Sequence, residues 1–215
     1  MNDDIYSPTI GSNLPSENPV EEKGLFGKLG SEAVDFIQTL VVFGAIFAII
    51  YLFVAQPHKV SGSSMVPNFQ NGDYILTDKV TYRFTQPKNG DVIVLKNPRD
   101  ESQDFIKRIM ATPGQTVKVE GNHVFVQGAE LSEQYLPPET LTRSGAFLHE
   151  GETISVAPDQ YFVFGDNRSH SSDSREWGAV TKKEIIGRVI FRYWPPSTVG
   201  LIKPSTKSTN FGGQN

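Results

Sequence analysis

Phe36-Ile-Gln-Thr-Leu-Val-Val-Phe-Gly-Ala-Ile-Phe-Ala-Ile-Ile-Tyr-Leu-Phe-Val-Ala55 is apolar almost throughout and ends at Gln56-Pro57. About 20 such residues suffice to cross a bilayer core as a helix. Gln38 and Thr39 sit near the start, and Tyr51, an aromatic with a polar tip, lies near the end, as membrane interfaces favour. A buried core helix competes with this reading, but helices of globular proteins are seldom apolar on every face. A cleaved leader also competes. It fits poorly with the long acidic stretch in front and with the absence of a clear small-x-small site around Val54. The expected division is a disordered cytoplasmic tail over 1–34, a transmembrane anchor over 35–56, a β domain over 57–203 and a flexible tail over 204–215. Lys23 and Lys28 precede the span and Lys59 follows it, a small bias that places the N-terminus inside.

The 215 residues suit one anchor and one domain. Nineteen Gly and 14 Pro punctuate short runs of Val, Ile, Thr and Phe, which points to a mainly β body with many turns. Strands are expected at Tyr74–Thr77, Asp91–Leu95, Asp104–Met110, Thr116–Val119, His123–Val126, Thr153–Val156, Tyr161–Phe164 and Gly187–Tyr193. A turn is expected at Lys88-Asn89-Gly90, and a short helix or strand approach at Lys182–Ile186. The net charge is −4 and no long basic run occurs, which argues against nucleic acid as a partner. Cysteine is absent, which removes a disulfide framework, thiolate catalysis and Cys-ligated zinc. No metal and no cofactor is expected.

Three segments carry candidate chemistry. The first is Ser61-Gly62-Ser63-Ser64-Met65-Val66-Pro67, just after the span, where three hydroxyls surround a glycine that permits close backbone approach. The second is Asp104-Phe105-Ile106-Lys107-Arg108-Ile109-Met110. In a strand, Lys107 shares a face with Phe105 and Ile109. Burial there disfavours the charged amine and lowers its pKa, as a lysine general base requires, and Arg108 nearby is expected to add like-charge repulsion. A lysine snorkelling from an edge strand is the plainer alternative. The third segment runs from Gly165-Asp166-Asn167-Arg168 through Ser169, His170, Ser171, Ser172, Asp173, Ser174 and Arg175 to Trp177-Gly178. Its hydroxyls can orient an amine and its acids and arginines can brace the loop, or it is a solvated surface loop. Ser64 with His170 and an Asp is a rival triad. A penicillin-binding scheme fails because Pro67 occupies the third position after Ser64, and a Gly-x-Ser-x-Gly elbow fails because Val66 occupies its last position.

Taken together, these segments resemble bacterial type I signal peptidases, also called leader peptidases, over the anchor and about Gln56 to Tyr193. The resemblance implies an antiparallel folded sheet or open barrel as catalytic domain on one transmembrane helix. It also implies a membrane serine endopeptidase that removes signal peptides from exported preproteins through a Ser-Lys dyad and an acyl-enzyme. It assigns Ser64 as nucleophile and Lys107 as base, with Ser171 hydrogen-bonded to the amine and Asp173 and Arg175 bracing the site. Val60, Met65, Phe69 and Ile106 would line a shallow pocket for small residues. Some members carry a serine two residues before the nucleophile as a second oxyanion donor; here Gly62 stands there, leaving Ser61, Ser63 or a backbone group. The implied partners are signal peptides and the lipid bilayer, with the chain working as a monomer and its β domain on the exported side. A membrane-anchored β binding module and a self-cleaving Ser-Lys repressor protease are the other readings; the span argues against the second.

Overall fold

The computed structural model describes residues 25–205. The chain divides into two compact units, one up to Ile46 and one from Phe47 onward. The first helix, α1, is Leu25–Ile49. Its window Glu32–Ile49 has a mean hydropathy of 1.8 and no buried residue, so it is long and apolar enough to cross a membrane. The helix starts ten residues before the expected anchor, which corrects the disordered tail over Leu25–Val34; the tail expected over 1–24 lies outside the described residues. A helix once nucleated gains one hydrogen bond per residue, so Gly30 and Ser31 do not stop it. A π-helical turn, Ile50–Val54, closes the span. Pro57 disfavours helical geometry in the residue before it, and the chain is already extended at Ala55.

The second unit consists of antiparallel sheets. The larger contains β1 (Ala55–Lys59), β2 (Tyr74–Asp78), β3 (Val92–Asn97), β4 (Asp100–Ala111), β9 (Gln160–Phe164), β10 (Val180–Thr181), β11 (Ile185–Trp194) and β12 (Gly200–Leu201). The smaller contains β5 (Thr116–Glu120), β6 (His123–Val126), β7 (Ala129–Glu130) and β8 (Thr153–Ser155). Short helices α2 (Thr81–Phe84) and α3 (Ser174–Trp177) interrupt the loops. The order in the larger sheet is β1-β2-β11-β3-β4-β9-β10, with β12 on β11; β1 and β10 are its ends, so it is folded and open rather than a closed barrel.

Each strand expected from the sequence is present, with ends shifted by a few residues. The run Val92-Ile93-Val94-Leu95 is apolar without alternation because both faces of β3 are covered. Val92 and Val94 pack with Val60, Met65, Phe69, Ile75 and Val189. Ile93 and Leu95 pack with Tyr82, Ile109, Tyr161, Val163 and Val180. Strand β9 divides in the same way: Tyr161 and Val163 join that second cluster, while Phe162 and Phe164 pack against the valines of β5 and β6. The two central strands thus tie three apolar clusters into one body. At Gly187 on β11, a side chain would collide with the backbone carbonyl of Asp78 on β2. Gly187→Ala is therefore expected to destabilise the β body by about 1–3 kcal/mol through overpacking. Urea unfolding of the chain in detergent micelles checks this; an unchanged midpoint would contradict the close approach.

Candidate active site

The nucleophile candidate lies between β1 and β2. Val60, Met65 and Phe69 are buried in the cluster beneath this loop, so apolar anchors on both sides fix the hydroxyl at position 64. Gly62 has φ of +93°, a left-handed conformation that favours glycine, and its N–H donates to Asn71 Oδ1 at 3.0 Å. From the opposite side, the Asn167 backbone N–H donates to Ser64 O at 3.0 Å and its Nδ2 to Ser63 O at 3.1 Å.

Lys107 sits on β4 directly opposite Ile93. Ile93 and Ile109 belong to one apolar cluster and Phe105 packs against it, so Lys107 shares the face of Phe105 and Ile109 expected from strand alternation. It is 3% exposed. Its Nζ donates to Ser64 Oγ at 2.9 Å and to Ile106 O at 3.0 Å, and lies 4.9 Å from the Phe105 ring centroid. Burial pushes its pKa down from 10.5 to about 8; Asp173 and Asp166 pull against that, and Arg175 adds to it.

The expected repulsion from Arg108 is corrected. Alternation turns Arg108 to the other face, where its Nε and Nη2 grip Asp166 at 2.8 and 2.6 Å. That charge is matched where it lies, and Arg175 supplies the like-charge push instead. Asp173, fully buried, caps α3 and accepts from Arg175 Nε and Nη2, both at 2.8 Å, and from Gly165 N at 3.0 Å. Arg175 also donates to the backbone oxygens of Arg143 and Arg168.

Ser171 departs from expectation. Its hydroxyl is buried over Gly165 and makes no hydrogen bond, so it does not hold the Lys107 amine in this arrangement. The amine is instead directed by Ser64 Oγ and Ile106 O. Ser171 leaves no room for a side chain at Gly165.

A cleft of about 260 Å³ opens over Ser64 and Lys107. Val60 and Ile106 line it, whereas Met65 and Phe69, 1% and 2% exposed, are turned into the core beneath and do not. Ile75 and Val94 take their place in the lining. Ile75 and Val94 read only as strand residues of β2 and β3, and nothing local said which face carried the cleft. His170 also lines the cleft, yet it is exposed, and its Nδ1 neighbours Ser169 Oγ at 2.9 Å and Asn167 Oδ1 at 3.3 Å, with no carboxylate partner among the described residues. Two groups escaped sequence reasoning. Asn68 donates to Asp166 Oδ2 at 2.8 Å, and Arg168 is held by Glu133, by Thr142 Oγ1 at 2.6 Å and by Tyr135 Oη at 3.0 Å. Asn68 gave no motif, and the partners of Arg168 are more than 25 residues away in sequence.

The family model described as signal peptidase, peptidase S26, matches residues 33–194. A probable signal peptidase I-1 from Synechocystis sp. is 36% identical over 77% of this chain and 85% of its own length. A signal peptidase I from Leptolyngbya laminosa is 31% identical over 95% of this chain and 98% of its own. A crystal structure of a signal peptidase I from Enterococcus faecalis is 28% identical, with a TM-score of 0.41, and covers 48% of this chain and 97% of that one. With a folded antiparallel body, an N-terminal apolar helix and a family match over residues 33–194, the chain belongs to the type I signal peptidase family of S26 peptidases.

Proposed function

We propose that the chain is a membrane-anchored serine endopeptidase that removes N-terminal signal peptides from exported preproteins through a Ser64-Lys107 dyad. The observation that carries this reading is the 2.9 Å contact between Ser64 Oγ and a lysine amine almost removed from water. Neutral Lys107 accepts the Ser64 proton as Oγ attacks the scissile carbonyl. The C–N bond breaks, the amine leaves with a proton from Lys107, and an acyl-enzyme remains; Lys107 then activates the water that releases it. The Ser64 N–H makes no hydrogen bond among the described residues and points to one oxyanion donor. The Gly62 amide is taken by Asn71, so the second donor is Ser61, Ser63 or another backbone group. Val60, Ile75, Val94 and Ile106 provide an apolar floor for the small residues that precede a signal-peptide cleavage site.

The substrate lies in the bilayer and so does the anchor, which raises their effective concentration. Ser64, Lys107, Asp173 and Arg175 all come from one chain, which supports function as a monomer. Ser64→Ala and Lys107→Ala are expected to abolish cleavage of a preprotein, the second by at least roughly 10²–10⁴-fold, with circular dichroism unchanged. His170→Ala should cleave near the parent rate. Inactive His170→Ala beside active Lys107→Ala would replace this dyad with the Ser-His reading.

The pH profile follows from the lysine. Its active form is unprotonated and its pKa is lowered to about 8, so kcat/KM should rise with pH on a limb centred near there and level off above. A limb near 6.5 that vanishes in His170→Ala would contradict the assignment. The body should also lie on the exported side of the membrane, the N-terminus being cytoplasmic. Protease added outside a sealed inner membrane should then digest or release the region beyond Gln56; complete protection of an accessible face would reverse the orientation.

A further inference from the structure

Two clefts border the loop that carries Ser64, and the mechanism above uses only the apolar one. The second is larger, about 670 Å³. Val66 and Pro67, just past Ser64, form one wall; Thr140 and Arg143 come from the loop before β8. The segment 167–172 separates the two spaces. Asn167, Ser169 and Ser171 line the larger cleft, while His170 and Ser172 line the apolar one. The nucleophile loop splits likewise, with Ser63 and Ser64 on the apolar side and Val66 and Pro67 on the other. Because Asn167 N–H donates to Ser64 O at 3.0 Å, this partition is fixed to the backbone of the nucleophile itself.

Peptide cleavage needs room on both sides of Ser64. The acyl part stays on Oγ, and the apolar cleft suits it. The amine part continues past Ser64 and belongs to a mature protein, whose sequence is ordinarily polar. The charges in the second cleft match such a guest. Arg168 and Arg175 are already paired with Glu133 and Asp173, whereas the side chains of Arg143, Glu139 and Glu176 have no partner among the described residues. Unmatched charges of both signs beside hydroxyls suit a polar peptide of varied sequence better than one ion of fixed charge.

We propose that this cleft binds the first residues of the mature protein, those immediately after the scissile bond. The inference deepens the signal-peptidase reading and rests on it. It makes Thr140 and Arg143 part of a leaving-side subsite, and it makes binding energy beyond the cleavage point contribute to the rate.

The test uses the full chain in detergent micelles and two peptides with the same residues before the scissile bond. One ends a single residue after it and the other continues with several polar residues. The longer peptide should have a kcat/KM on the order of tenfold higher, mainly through KM. Thr140→Trp and Ser169→Trp, which fill the cleft, should each bring that ratio toward one. Two substitutions on different segments of the lining guard against the failure of either to fold, which thermal unfolding reports. Equal rates for both peptides in the parent, or an undiminished ratio in the folded variants, would overturn the inference while leaving the dyad intact. Cleavage of neither peptide by the parent would instead overturn the signal-peptidase reading, and this subsite with it.

Discussion

Lys107 stands on a central strand with apolar neighbours along β4 and across on β3, and its amine ends at the one hydroxyl of the Ser64 loop that reaches it. Water would keep that amine charged at neutral pH, and a charged amine cannot take a proton. The folded sheet does two things at once: it excludes water from Nζ and sets Oγ 2.9 Å away. The loop is anchored from below by Val60, Met65 and Phe69 and from the side by Asn167. If either anchoring failed, a buried amine would remain with no hydroxyl in place.

Burial alone would not suffice, because the same region holds several full charges. Asp166 and Asp173 both favour the protonated amine, and each is within the field of Lys107. Arg108 neutralises the first and Arg175 the second through paired N–H···O bonds. Buried ion pairs of this kind add little net stability, since desolvation offsets their attraction, but removing one partner strands a charge in the interior. Their value here is local: they hold the Gly165–Gly178 loop in shape, Arg175 opposes the pull of the two carboxylates on Lys107, and desolvation, the largest cause, decides the direction of the shift.

Much of this was legible in the sequence because it is written in short periods. Lys107 between Phe105 and Ile109 read as a lysine on an apolar face, and β4 places it there. Features set by distant parts of the chain were not legible. Met65 and Phe69 are apolar and near Ser64, yet whether they face the cleft or the core depends on where β11 and β3 lie, and they face the core. Arg108 is adjacent to Lys107 in sequence but opposite in space, and its partner Asp166 lies 58 residues away. Strand β4 begins at Asp100 rather than Asp104 because a hairpin arm can carry polar residues where it leaves the core, and periodicity is silent there. The early start of α1 at Leu25 was masked by Gly30 and Ser31, poor helix formers that interrupt the apolar positions Leu25, Phe26, Leu29, Ala33 and Val34.

The central proposal is that burial brings the pKa of the Lys107 amine down to about 8, within reach of the neutral form that can act as a base. Its titration can be followed directly by NMR of lysine-labelled chain in micelles, with Lys107→Met to identify the resonance. The account predicts that Lys107 titrates near pH 8. A Lys107 that titrates at the ordinary lysine value of 10.5 would contradict it.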